Sequence, residues 1–434
     1  MLINPFIYGR SIHSSQFYNH TSLLRRVMRR LESGQETAII GQPHVGKTSL
    51  LNVIMDEAKQ REMLGHPLAQ TIFRYIDSHM LSQTFTQHEF WNHALEPVST
   101  QIQDPTIQSL YTIAKENHFG TFTLERLFAG LHDAGWKVAL LLDEFEAILS
   151  HPILNSTEFY GSLRSLASRF DSLAVIIATR RSLDALNVET QKLNPHGSPY
   201  FNIFTEQRIG ALPPPAANAI LDQAGDQFTK DDRDFVLSVS GRHPYLLQLT
   251  AAHLWEDEPE QDDDMADEPT SVRYERVAKE VHDQTLAHFN DTWRSWSNAE
   301  RKVITAIALA QIPFLVDGRD FKWQKLIEDI HDYSSELRTL EKDGTIVRYD
   351  HVRDEHGERV WWITQEALLW WLADTIKREV RDDTSWGQWL EANQYGMAGT
   401  SAERERFRQM RAEVRQRVGR GGSTLIEAFV KNYV

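Results

Sequence analysis

Apolar residues recur at helical spacing early in the chain. Leu23, Leu24, Val27, Met28 and Leu31 share one face of residues 19–31, while Arg25, Arg26, Arg29 and Arg30 take the other. The run 36–40 predicts a short strand that enters a glycine-bearing loop, and 48–58 continues as a helix. Strands follow at 71–76, 137–142 and 173–178, with helical stretches at 88–102, 106–116 and 124–134. Continuous apolar strands alternating with helices predict a parallel sheet covered on both faces, an α/β fold.

After residue 209 the pattern changes. Pro213, Pro214 and Pro215 open a helical region with stretches at 216–223, 231–239 and 243–254. Nine carboxylates crowd residues 256–268 with almost no apolar partner, which reads as a solvated loop. Helices at 301–310, 321–330 and 334–342 precede a turn at Asp343 and Gly344, strands at 346–349 and 360–363, and a helix at 365–376. Three helices and a hairpin is the order of a winged helix. Four regions are therefore expected: an α/β core at 1–210, a helical lid at 211–292, a winged-helix domain at 293–378 and a short α-helical C-terminal segment at 379–434. In that segment seven arginines from Arg404 to Arg420 accompany an apolar stripe of Phe407, Met410 and Val414.

Composition narrows the chemistry. A chain of 434 residues exceeds one core, and 41% hydrophobic with 25% charged residues is ordinary globular usage. With no cysteine, disulfides, thiol nucleophiles and Cys-based zinc sites are excluded. No stretch approaches the roughly 20 apolar residues that span a bilayer. The N-terminus lacks a signal-peptide pattern, so a soluble cytoplasmic protein with no membrane partner is expected. A net charge of −15 opposes nucleic-acid binding on average.

The strongest motif is the loop Gly41-Gln42-Pro43-His44-Val45-Gly46-Lys47-Thr48, a complete G-x-x-x-x-G-K-[ST] with a strand before it and a helix after it. Backbone N–H groups around Gly41, Val45, Gly46 and Ser49 can turn toward phosphate oxygens, reinforced by the helix N-terminus. Lys47 would reach the β- and γ-phosphates, and the Thr48 hydroxyl would ligate Mg²⁺. The strand at 137–142 ends in Asp143-Glu144-Phe145-Glu146, which suits Asp143 to hold Mg²⁺ through water and Glu144 to polarise attacking water. Arg180, after the strand at 173–178, is the candidate phosphate sensor. The sequence has no Asn-Lys-x-Asp guanine reader, which favours ATP over GTP. His88 and His93 lie five apart, the wrong spacing for a zinc helix, and the twelve tryptophans read as core.

These motifs, in this order, resemble a family. Asn4-Pro5-Phe6 with Gly9, the P-loop ending Lys-Thr-Ser-Leu-Leu, residues 141–146, Thr179-Arg180 and Gly241-Arg242-His243-Pro244-Tyr245 look like the successive motifs of STAND-type signal-transduction ATPases in the AAA+/ORC-like group. The resemblance implies that Phe6 and Pro244 contact adenine and that Arg180 senses the terminal phosphate. Asn19-His20 stands where the family often has Gly-Arg, a departure in the nucleotide pocket. No repeat-type sensor array follows, so a minimal switch module is expected. It would bind and hydrolyse ATP with Mg²⁺ and engage a protein partner, an effector or a second copy of itself in signalling or defence. The alternative is a DNA-binding AAA+ ATPase of the origin-recognition or loader type. The mixed charges on Glu336, Arg338, Glu341 and Lys342 speak against a DNA-reading face.

Overall fold

A computed structural model describes residues 3–12, 14–17, 20–257, 269–317, 333–353 and 359–379. The described chain falls into two compact units, Ser11–Ile209 and a second that joins residues 3–10 to the chain from Gly210 onward.

The Ser11–Ile209 unit is built on five parallel strands: β1 (Thr37–Ile40), β2 (Thr71–Asp77), β3 (Lys137–Asp143), β4 (Leu173–Thr179) and β5 (Thr205–Arg208). Their spatial order is β2-β3-β4-β1-β5. The three inner strands are almost wholly buried and read as uninterrupted apolar runs, as parallel strands covered on both faces do. Alternate residues feed two cores. Ile39, Ala139, Leu141, Ala174, Ile176 and Ala178 pack with α1 (Thr21–Glu32), α2 (Lys47–Met55) and α3 (Glu57–Leu64). Ala38, Ile40, Val138, Leu140, Leu142, Val175 and Ile177 face α4 (Gln87–Gln101), α5 (Pro105–Glu116), α6 (Thr121–Asp133) and α8 (Thr157–Arg169). A short α7 (Glu146–Leu149) follows β3, and α9 (Leu183–Gln191) precedes β5.

The single helix expected at 48–58 is two. Asp56 leaves helical geometry, and its carboxylate caps α3 by accepting from the Ala58 and Lys59 N–H groups. The register matters most for the site. Ile40 lies opposite Thr179 and Asp77 opposite Asp143, so the strands end along one edge, with β4 inserted between the P-loop strand and β3. The crevice beyond the carboxyl ends of such strands is where open α/β sheets bind ligands.

The second unit holds α10 (Pro214–Leu221), α11 (Lys230–Ser240), α12 (Pro244–Glu256), α13 (Thr270–Ser295), α14 (Asn298–Asp317), α15 (Ser334–Lys342), the antiparallel pair β6 (Ile346–Arg353) and β7 (Arg359–Ile363), and α16 (Glu366–Glu379). The 26-residue α13 runs unbroken through residue 292 and packs Tyr274, Val277, Val281, Phe289 and Trp293 into the core. Gln311 on α14 brackets the hairpin: its amide donates to Ile363 O at 3.0 Å and accepts from Ile363 N at 2.8 Å. The helix expected at 321–330, most of the acidic run and the arginine-rich tail lie outside the described residues. No described helix is long and apolar enough to cross a membrane.

Candidate functional site

The P-loop follows β1 directly, and its glycines are required by geometry. At Gly41 a Cβ would sit 2.5 Å from Ile209 O and 2.8 Å from Val45 Cγ1. At Gly46, the N-cap of α2, φ is +101°, a conformation that side chains with a Cβ rarely adopt. Val45 is buried, and the buried Ser49 accepts from Ile12 N at 3.3 Å.

Lys47 is only 4% exposed, and its ammonium donates to Gly41 O and Gln42 O, each at 3.1 Å. Burial pulls its pKa below the ordinary lysine range, while Glu144 and Glu146 pull it upward. Its direct acceptors are thus neutral carbonyls within the loop, contacts that a phosphate oxygen can replace with a charged one. The Thr48 hydroxyl donates to Asp143 Oδ2 at 2.6 Å, joining the start of α2 to the end of β3. Tyr75 on β2 donates to the same oxygen at 3.0 Å, and Glu144 N donates to Asp143 Oδ1 at 3.0 Å. Burial, then the charge of Asp143, raises the Tyr75 pKa above the usual phenol range.

Glu144 adopts φ +46°, a left-handed conformation uncommon outside glycine that costs on the order of 1–3 kcal/mol. Its carboxylate meets Arg180 Nη2 at 3.3 Å and His79 Nε2 at 3.8 Å. Arg180 Nε lies 3.0 Å from Glu146 Oε1 without a well-aligned hydrogen bond, and Glu146 Oε2 is buried without a hydrogen bond among the described residues. Lys47, Thr48, Asp143, Glu144 and Arg180 therefore converge at one strand edge.

Phe6 and Pro244 belong to the second unit. Phe6 is buried, stacks on Phe228 with ring centroids 5.5 Å apart, and meets Trp255 edge-on. Pro244 is half-buried at the first position of α12. His93 lies against Arg74, and His88 packs edge-on against His118. Among the described residues no cluster of three or more His, Cys, Asp or Glu is placed to hold a metal.

Three further polar residues stand at the site: Glu146, Tyr75 and His79. Glu146 stood visible in the acidic run after β3. Tyr75 and His79 carry no motif, and only the pairing of β2 with β3 brings them in.

The family model described as novel STAND NTPase 2 matches residues 40–312, more than half of the chain. The chain belongs to that family and is a STAND-type P-loop NTPase. Among solved structures, a Walker-type ATPase of Pyrococcus abyssi is similar at 14% identity and a TM-score of 0.51, over 85% of this chain and 99% of that one. The Aeropyrum pernix ORC2 protein, solved as ADPNP–ADP complexes, matches 83% of this chain and 94% of its own at 15% identity and a TM-score of 0.42. A STAND protein of Pyrococcus horikoshii with a tetratricopeptide repeat sensor matches 97% of this chain and 52% of its own, at 13% identity and a TM-score of 0.34. A search of the curated proteins found no match.

Proposed function

We propose that this STAND NTPase binds ATP with Mg²⁺ at the strand edge, hydrolyses it slowly, and uses the nucleotide state as a switch read by a protein partner or a second copy. The observation that carries the reading is the convergence of Lys47, Thr48, Asp143, Glu144 and Arg180 at one end of one sheet. The residues fit the absent groups. The Thr48 hydroxyl and, 2.6 Å away, a carboxylate oxygen of Asp143 are hard oxygen groups of the kind that hold Mg²⁺ directly and through bound water, alongside phosphate. Two glycines admit no Cβ without a clash or strain at the points where the loop folds around Lys47.

Each side chain has a role in this reading. Lys47 exchanges its carbonyl acceptors for β- and γ-phosphate oxygens. Thr48 and Asp143 would hold Mg²⁺, which when bound neutralises charge on the phosphates. Glu144 orients the attacking water and takes its proton. Arg180 releases a carboxylate to meet the terminal phosphate, coupling that phosphate to Glu144. Phe6 and Pro244 contribute to adenine binding, and the helices and hairpin after Gly210 serve as lid and winged helix. Phosphate release from ATP and from GTP, each with Mg²⁺, tests the reading. Turnover of ATP that stops in EDTA is expected; release from neither nucleotide would contradict it.

A further inference from the structure

The carboxylate of Asp143 is 1% exposed and is held from three directions. Thr48 and Glu144 N supply two of them from within the motif segments. The third, the Tyr75 hydroxyl, comes from the edge strand β2. Parallel pairing sets Tyr75 opposite Leu141, and Asp143 lies two residues farther along on the same face. The phenol is long enough to reach diagonally along that face, where a shorter side chain would stop at Leu141. Tyr75 packs with Phe73 against the core beneath α2, so its ring is supported and its hydroxyl aimed.

Among the described residues, removing Tyr75 would leave Oδ2 with Thr48 alone as its donor. The Thr48 oxygen is also a metal ligand in the ATP·Mg²⁺ reading, on which this inference rests. A carboxylate whose Oδ2 is held only by a group that itself turns toward the metal can pivot about its remaining Oδ1 contact with Glu144 N. One pinned by a phenol outside the metal shell cannot. Hydrogen-bond partners behind a ligand typically govern metal affinity by about 10–100-fold. We infer that Tyr75 is a positioning residue for the metal: its hydroxyl fixes Asp143 Oδ2 beside Thr48 and so sets the Mg²⁺ requirement of nucleotide binding, without touching metal or nucleotide.

The test uses the full chain, a fluorescent ADP analogue and MgCl₂, comparing wild type with Tyr75→Phe. In EDTA both should bind the analogue within about twofold of each other, because the P-loop is untouched. With rising Mg²⁺, Tyr75→Phe should need about 10-fold more metal for half-maximal enhancement. An equal or lower requirement overturns the assignment. Loss of binding in EDTA overturns it as well, since Tyr75 would then support the pocket as a whole. Wild type that binds no analogue, or binds it with no Mg²⁺ dependence, would instead remove the underlying ATP·Mg²⁺ reading.

Discussion

Arg180 Nη2 lies 3.3 Å from Glu144 Oε2, so the residue proposed to sense the terminal phosphate holds the residue proposed to position the attacking water. Beside Lys47 these groups carry two positive and three negative charges (Lys47 and Arg180; Asp143, Glu144 and Glu146), a net of −1. An anionic nucleotide entering such a site needs an accompanying cation, and it competes with the carboxylates for Arg180.

Glu144→Gln should keep ATP binding and slow phosphate release by at least about 10²-fold, the low end for loss of a positioned base. Single-turnover release from bound ATP measures this directly. Normal turnover in the variant would move the role to Glu146, the other carboxylate facing Arg180.

A pH effect is expected away from the site. Glu36 at the start of β1 is 7% exposed, and Oε1 has no hydrogen bond among the described residues. Burial raises its pKa from 4.5 to about 7, opposed by its own backbone N–H and by Arg30. A carboxyl raised in the folded state contributes stability that is full below its unfolded value and lost as pH rises through about 7. Glu36→Gln stays neutral, so its stability relative to wild type should improve between pH 5 and pH 8. The gain is on the order of 1–2 kcal/mol. Urea midpoints at the two pH values test it; a constant difference would contradict it.

Much of this architecture is legible in the sequence because central strands cannot hide. Residues 138–142 and 173–178 have no polar interruption, and burial on both faces explains why. β5 is Thr-Glu-Gln-Arg, an edge strand that is largely polar and held by backbone pairing to β1, so no apolar period marks it. On α13 the inward face includes His282, Thr285 and His288 among its apolar positions, which blurs the helical signal. Lys47, Thr48 and Asp143 are readable because the P-loop and strand-end motifs encode their contacts. Tyr75 is not, since its contact depends on the pairing of β2 and β3.

Stability of the second unit should depend on Gly344. Its φ is +77°, and a Cβ there would meet Ala211 Cβ at 2.4 Å while Ala211 N is already bonded to Asp343 O at 3.0 Å. Gly344→Ala adds a left-handed penalty of about 1–2 kcal/mol to an overpacking cost of about 1–3 kcal/mol. A loss of at least about 2 kcal/mol is expected in denaturant unfolding. Wild-type stability would show that the 343–344 turn shifts freely.

The central claim is that Lys47 receives the phosphates. Calorimetric titration of ATP·Mg²⁺ into wild type and Lys47→Ala tests it most directly. The Lys47 ammonium spans Gly41 O and Gln42 O at the centre of the loop, where the phosphates would lie. Wild type should give a saturable binding isotherm and Lys47→Ala no measurable heat. Equal affinity in the two proteins would contradict the account.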